Sequence, residues 1–197
     1  MAKRLFDLMA STWGLLVLIP VFLMLGVWIK LDSPGPIFFR QERVGRGGKL
    51  FRIHKFRTMV IDAERHGLQI TVGSDLRVTR VGQWLRKYKL DELPQLLDVW
   101  RGDMSMVGPR PEVPRYVACY PADVREVVLS VRPGITDQAS IEFKDENQIL
   151  GRASDPHKSY VEEVLPIKLR YYIEYVLTQS LLGDVKIILI TLRALVR

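Results

Sequence analysis

Uncharged residues run without interruption from Leu8 to Ile29, flanked by Lys3, Arg4 and Lys30. As a straight helix at 1.5 Å per residue this stretch reaches roughly 33 Å, against a hydrocarbon core of about 30 Å. A spanning helix is therefore admissible. Pro20 complicates it, because a proline inside a helix deletes one backbone hydrogen bond and bends the axis. With cations at both ends, a bent re-entrant segment keeping both ends cytoplasmic satisfies the positive-inside preference better than a crossing. A buried core helix passes the same length test. A signal peptide fits less well, since the stretch is long and no small-residue cleavage site follows.

Beyond the turn cluster Asp32-Ser33-Pro34-Gly35-Pro36 the pattern changes. Ile37–Val44 and Leu50–Phe56 read as strands joined by the glycine-rich loop 45–49, which makes a hairpin. Residues 60–67 are expected to form a short helix. Thr79–Tyr88 reads as a helix with Val81, Trp84 and Leu85 on one face, and a second helix is expected from about Asp91 to Trp100. Gly102 opens a loop through Pro111, residues 112–130 are helical in pattern, and residues 132–136 form another turn. Lys158–Gln179 is expected to be helical with a bend at Pro166. In the last segment Leu182, Val185, Leu189, Leu192 and Val196 share one stripe, and Lys186, Arg193 and Arg197 another. That pattern suits an interfacial membrane helix or an amphipathic core helix, and the apolar N-terminus favours the interface.

Composition narrows the partners. The 197 residues make one ordinary domain, and the net charge of +7 points to nucleic acid, anionic lipid or phosphate-bearing substrates. No reading helix for nucleic acid is recognisable beside the apolar N-terminus, so that class is set aside. Cys119 is the single cysteine, which excludes an internal disulfide and reads as a buried small apolar residue. His54, His66 and His157 are too scattered for a metal site. Trp84 and Trp100 are expected in the core, Trp13 and Trp28 at the membrane interface.

The chemistry concentrates at Asp91-Glu92. A carboxylate at or near a helix start is stabilised by free N–H groups that also attract phosphate, and Pro94 suits a first turn. Taken alone, the pair reads as a helix cap. Its surroundings alter that reading: Arg86 precedes it, Arg110-Pro111 stands in a stiff loop, Arg132 follows, and Lys55 and Arg57 end a strand. Arginine from a rigid loop suits bidentate phosphate recognition. Carboxylates among cations can hold Mg²⁺ against a diphosphate, and an ionised aspartate can attack phosphorus.

Phe38–Gly45, Phe51–Met59, Leu90–Leu96, Arg101–Pro111 and Arg132–Thr136 occur in the order seen in the bacterial sugar transferase family, the monotopic phosphoglycosyl transferases, which this chain resembles over nearly its whole length. The resemblance implies an α+β, predominantly helical fold. It would comprise a re-entrant membrane helix over 1–31 bent at Pro20, then a catalytic domain over 32–197 with a small β-hairpin and amphipathic interfacial helices around a cytosolic active site. It further implies transfer of a sugar 1-phosphate from a UDP-sugar to polyprenyl (undecaprenyl) phosphate, with release of UMP. Asp91 would be the nucleophile, Glu92 its partner at the metal, and Mg²⁺ the cofactor. Lys55, Arg57, Arg86, Arg110, Pro111, Arg132 and Lys144 would contact substrate. The implied location is the cytoplasmic face of the bacterial inner membrane, and short family members imply a complete catalytic unit.

Two departures stand out. Relatives often carry serine before the helix-breaking proline, where this chain has Ile19, which cannot re-satisfy backbone at the bend. After Thr136 many relatives continue Gly-Trp-Ala-Gln-Val-Asn-Gly-Arg; here Asp137–Lys144 stands instead, with Lys144 at the arginine position. Sugar choice is where the transfer by resemblance is weakest. A non-catalytic membrane adaptor in a glycan-assembly complex is the alternative, but it would require neither Asp91-Glu92 nor the arginine loop. A homodimer stays open, with no residue marking it.

Overall fold

A computed structural model describes residues 1–61, 63, 75–143, 150–151 and 153–196. Helix α1 (Ala2–Asp32) runs through Pro20 as one element. It is long and apolar enough to cross a membrane, and little of its apolar stretch is buried inside the protein. The core-helix reading of this segment is thereby set aside. Both of its ends nevertheless pack on the same body. Near its start Asp7 accepts hydrogen bonds from Ser105 Oγ and Met106 N, and Arg4 donates to the Val99 and Trp100 carbonyls. Near its end Leu25 and Ile29 join Phe56, Val81 and Leu85 in one apolar cluster.

Strands β1 (Phe38–Val44) and β2 (Leu50–Phe56) form the expected antiparallel hairpin, in register Val44↔Leu50 through Phe38↔Phe56. Paired residues share a face, so Phe39, Gln41 and Arg43 lie on the side of Lys55. Helix α2 (Arg80–Lys87) is capped by Thr79, whose Oγ1 accepts from Gly82 N. A left-handed Lys89 (φ 55°) then reverses the chain into a 3-10 turn, Leu90–Glu92, and helix α3 (Gln95–Arg101). The helix expected from Asp91 to Trp100 is thus a tighter turn followed by an α-helix. Pro94 divides them because it supplies no N–H.

The loops expected around Gly102–Pro111 and 132–136 contain a short parallel pair, β3 (Ser105–Val107) with β4 (Gly134–Thr136). Glycine is needed there: a Cβ on Gly134 would sit 2.1 Å from Gly108 N. The single helix expected over 112–130 is split into α4 (Pro114–Val117) and α5 (Ala122–Leu129), because Pro121 cannot continue the first. Helix α6 (Gln138–Glu142) follows, capped by Asp137. Ahead of Pro166, where a bend is expected, a π turn, Tyr160–Val164, joins α7 (Pro156–Ser159) to α8 (Leu165–Thr178). One wider turn relieves the clash of the proline ring with the preceding turn's carbonyl.

The final helix α9 (Leu181–Val196) turns Asp184, Ile187, Ile188 and Thr191 inward and leaves Leu182, Val185, Leu189 and Leu192 exposed. The apolar stripe seen in the sequence is therefore the outward-facing one. Tyr116, Tyr160, Leu165 and Tyr172 centre the largest core, and Ile53, Val99 and Met104 a smaller one. Trp84 and Trp100 are not core residues. Trp84 is exposed and packs edge-on against Trp28 at 5.2 Å, and Trp100 is half exposed. Cys119 is exposed rather than buried. The 60–67 helix falls largely outside the described residues, as do His66 and Arg197.

Candidate active site

The hairpin, the α2–α3 reversal and the β3–β4 pair enclose a cavity of about 480 Å³, closed on its far side by α6, α8 and α9. Asp91 and Glu92 stand in its wall with Lys55, Arg86, Lys89 and Arg110 around them. Two adjacent carboxylates point to different fates. Glu92 is fully engaged: Lys55 Nζ donates to its Oε1 at 2.7 Å, and the Arg110 guanidinium grips both oxygens, Nη1 to Oε2 at 3.1 Å and Nη2 to Oε1. Burial pushes its acidity the other way, but Arg110, Lys55 and Lys89 outweigh burial and hold the Glu92 carboxyl well below the usual carboxylate range. Glu92 is in turn the largest influence on Arg110, keeping it firmly protonated.

Asp91 is buried as well, yet its Oδ1 has no hydrogen-bond partner. Burial, and after it the Glu92 charge, raise its carboxyl above the usual range against the pull of Lys55, Arg86 and Lys89. A buried carboxylate oxygen left unsatisfied costs about 1–3 kcal/mol or more, because the charge has lost water without gaining a donor. Such a group is a reservoir for a ligand or a reacting atom. Arg86, which burial pushes below its ordinary value, has Asp91 as its principal opposite charge; its Nε donates to Thr58 Oγ1 at 2.8 Å.

The remaining predicted residues lie elsewhere. Arg57 is buried outside the cavity, and its Nη2 donates to the Ser33 carbonyl at 2.6 Å and Ser33 Oγ at 2.9 Å, fastening the end of α1. The Pro111 carbonyl accepts from Arg43 Nη1 at 2.9 Å, and Arg132 Nε donates to the Gly102 carbonyl at 2.7 Å; neither residue lines the cavity. Arg57 and Arg132 are accordingly supports of the loops in this structure rather than walls of the site. Lys144 lies outside the described residues.

Other residues complete the cavity that residue-type reasoning did not single out. Arg43 enters beside Lys55, as the hairpin register demands, and lies 3.8 Å from Glu112. Tyr160 OH donates to Glu112 Oε1 at 2.5 Å, and Lys168 Nζ stands 4.0 Å from the same oxygen. The parity of strand positions could have placed Arg43; Lys168 and Tyr160 come from a helix far along the chain, and no local signal marks them. Behind the site His54 Nδ1 and Asp98 Oδ1 are 2.5 Å apart, and the His54 N–H donates to Asp98 Oδ2, tying β2 to α3.

Among the described residues no group of three or more His, Cys, Asp or Glu side chains could hold a metal. Beside the cations of the cavity Asp91 offers a buried carboxylate oxygen without a hydrogen-bond partner, whereas both Glu92 oxygens are taken by Lys55 and Arg110. Such a donor set suits Mg²⁺, which usually takes one or two carboxylates and completes its shell with water and substrate phosphates.

The whole chain, residues 1–197, matches the family model described as bacterial sugar transferase. It is 38% identical over 195 residues to UDP-N-acetylgalactosamine-undecaprenyl-phosphate N-acetylgalactosaminephosphotransferase of Aeromonas hydrophila, covering 98% of this chain and 43% of the relative. To UDP-glucose:undecaprenyl-phosphate glucose-1-phosphate transferase of Caulobacter vibrioides it is 38% identical over 195 residues, covering 98% of this chain and 69% of the relative. The transferase of the same description from Escherichia coli (strain K12) is 35% identical over 192 residues, with coverages of 96% and 39%. The chain thus spans less than half the length of the Aeromonas and Escherichia relatives. A match that runs from first residue to last, through the hairpin, the Asp91-Glu92 turn and the arginine loop alike, decides the matter: the chain belongs to the bacterial sugar transferase family.

Proposed function

We propose that this protein moves a sugar 1-phosphate from a UDP-sugar to polyprenyl (undecaprenyl) phosphate and releases UMP, by way of a covalent phosphosugar on Asp91. The activities for which the relatives are named support the two substrates. The observation that carries the nucleophile is the buried, unpartnered Asp91 Oδ1 in a cation-lined cavity. In the first step an Asp91 oxygen bonds to the β-phosphorus and the bond to the bridging oxygen breaks, so the electron pair leaves with UMP. In the second a prenyl phosphate oxygen bonds to the same phosphorus, and the Asp91–phosphorus bond breaks to restore the carboxylate. Phosphoryl transfer depends on positioning and charge stabilisation, which Lys55, Arg86 and Arg110 provide.

Glu92 acts through those cations. By holding Lys55 and Arg110 in place it fixes two positive groups beside Asp91, an arrangement that requires no reorganisation when charge develops on phosphate. Burial, and after it the Glu92 charge, raise the pKa of Asp91, which also makes its carboxylate a better nucleophile once ionised. Mg²⁺ is the cofactor in this reading; Asp91 is the residue that would hold it, and when bound it would neutralise charge on the donor.

The same reading places α1 in the membrane as a re-entrant or in-plane element on the cytoplasmic face of the bacterial inner membrane. Support comes from its two ends. A helix crossing the bilayer would hold only one end against the catalytic body, whereas here Asp7 and Leu25 both pack on it. The exposed stripe of α9 supplies a second apolar surface for the interface. The test is UMP release from a panel of UDP-sugars by detergent-solubilised protein with Mg²⁺ and undecaprenyl phosphate. Release with one donor, lost on chelation and in Asp91→Asn, is the expected result. No release from any donor by folded protein would sink the proposal.

A further inference from the structure

The cavity has two kinds of lining. Lys55, Arg86, Lys89 and Arg110 stand with Asp91, and Leu96, Ile135, Ile141, Phe143, Ile188 and Leu192 supply apolar surface. Two of these, Ile188 and Leu192, come from α9, and α9 is firmly seated. Thr191 Oγ1 and Thr136 Oγ1 are 2.7 Å apart, and Asp184 Oδ2 accepts from Lys3 Nζ at 2.5 Å while Asp184 Oδ1 accepts from Tyr175 OH at 2.8 Å. The apolar wall is thus a fixed surface. Leu192 is singular because it lines the cavity and is also 54% exposed, on the same outer stripe as Leu182, Val185 and Leu189. At that residue the cavity meets the apolar exterior.

A site that combines a cluster of cations, apolar lining and an exposed leucine at its rim is complementary to an amphiphile with an anionic head. A volume of about 480 Å³ is that of an ordinary small-molecule site, so only the part of a long tail nearest its phosphate would fit inside. Resting on the transferase reading above, we propose that the inner face of α9 seats the first isoprene units of the acceptor, and that the chain leaves past Leu192 into the bilayer. The acceptor phosphate then lies among the cations beside Asp91, and the tail pays no exposure to water on entering.

Three variants test this in detergent micelles, with UDP-sugar and undecaprenyl phosphate varied separately. Leu192→Glu places a charge at the mouth. Leu189→Glu places the same charge on the same exposed stripe outside the cavity, with 51% exposure, and reports the effect of the stripe on membrane contact alone. Ile188→Trp fills the wall. The expected result is an acceptor KM raised about tenfold more by Leu192→Glu than by Leu189→Glu, and raised likewise by Ile188→Trp, with the donor KM little moved. Equal acceptor effects of the two glutamates would overturn the proposal, since the stripe would then act only through membrane contact. A raised donor KM in Ile188→Trp would overturn it too, by assigning the wall to the nucleotide sugar. Thermal melts identify any variant that has not folded, and Leu192→Glu, on an exposed position, keeps the comparison decisive if Ile188→Trp fails. Absence of turnover in the wild type would instead refute the transferase reading itself.

Discussion

Asparagine at position 91 keeps the shape of the aspartate and takes away its charge, and the structure gives that change a sign. Burial and the Glu92 charge raise the Asp91 carboxyl in the folded protein, so the fold binds this proton more tightly than the unfolded chain does. Below the unfolded value, near 3.9, both states are protonated and the site is neutral to stability. As pH rises from there through the raised folded value, the ionised carboxylate increasingly destabilises the fold, and above it the penalty is constant. Asp91→Asn removes that penalty. Each unit of displacement is about 1.4 kcal/mol, and in a chain of this size each kcal/mol moves Tm by about 2–4 °C. The variant should therefore melt higher than wild type by roughly 3–6 °C per unit at pH 8, with the gap closing towards pH 4. Differential scanning of detergent-solubilised protein across that range reads it directly. A variant less stable than wild type at pH 8, or a gap indifferent to pH, would refute the reasoning. Activity moves the opposite way, as at sites where function keeps a destabilised group in place.

Arg110→Lys should keep the charge but lose the two-point grip on Glu92, lowering kcat at least tenfold in the UMP-release assay with a smaller effect on Tm. Arg110→Met leaves Glu92 underpaired and should cost about 3 kcal/mol in denaturant unfolding, less below the ordinary carboxylate range, where Glu92 protonates more readily in the unfolded chain. Gly82→Ala puts a Cβ 2.1 Å from the Thr58 carbonyl oxygen, so α2 must shift and carry Arg86 with it; a loss of roughly 1–3 kcal/mol with impaired turnover is expected from melts and kinetics. Arg57→Met should release the end of α1, detected as faster proteolysis near Ser33, while UDP-sugar binding by calorimetry persists because Arg57 lies outside the cavity.

What could be read from the sequence was what repeats locally. The alternation in Phe38–Val44 and Leu50–Phe56 fixed a hairpin, and the loop 45–49 fixed its register. The apolar face within Thr79–Tyr88 identified α2, and the long apolar run identified α1. The β3–β4 pair was not legible, because strands of three residues have almost no period and their pairing joins segments that the chain separates by α4 and α5. Proline breaks were visible as residues, but whether they split or widen a helix depends on packing, as Pro121 and Pro166 show. Trp84 and Trp100 were misplaced for a related reason: an apolar face at helical spacing says that it is covered, and here Trp28 or the solvent-facing surface meets it rather than the core.

At the site, charge near Asp91 in sequence proved a partial guide. Arg86, Lys55 and Arg110 do converge on the cavity, whereas Arg57 donates through Nη2 to Ser33 and Arg132 through Nε to the Gly102 carbonyl. Side chains of both kinds look alike in a sequence, since an arginine's role depends on which carbonyls remain unpaired near it. The division of labour between Asp91 and Glu92 is likewise a product of folding. Only the three-dimensional placement of Lys55 and Arg110 satisfies one carboxylate and leaves an oxygen of its neighbour unpartnered.

The central claim is that Asp91 becomes covalently bonded to phosphorus, and intact-protein mass spectrometry tests it most directly. Wild-type protein mixed with its UDP-sugar and Mg²⁺, without acceptor, should gain the mass of one phosphosugar, release one equivalent of UMP and lose the adduct when undecaprenyl phosphate is added. Peptide mapping should place the adduct on Asp91, and Asp91→Asn should show none. UMP release that requires the acceptor, with no adduct at any time, would contradict the account and favour direct transfer between the two substrates.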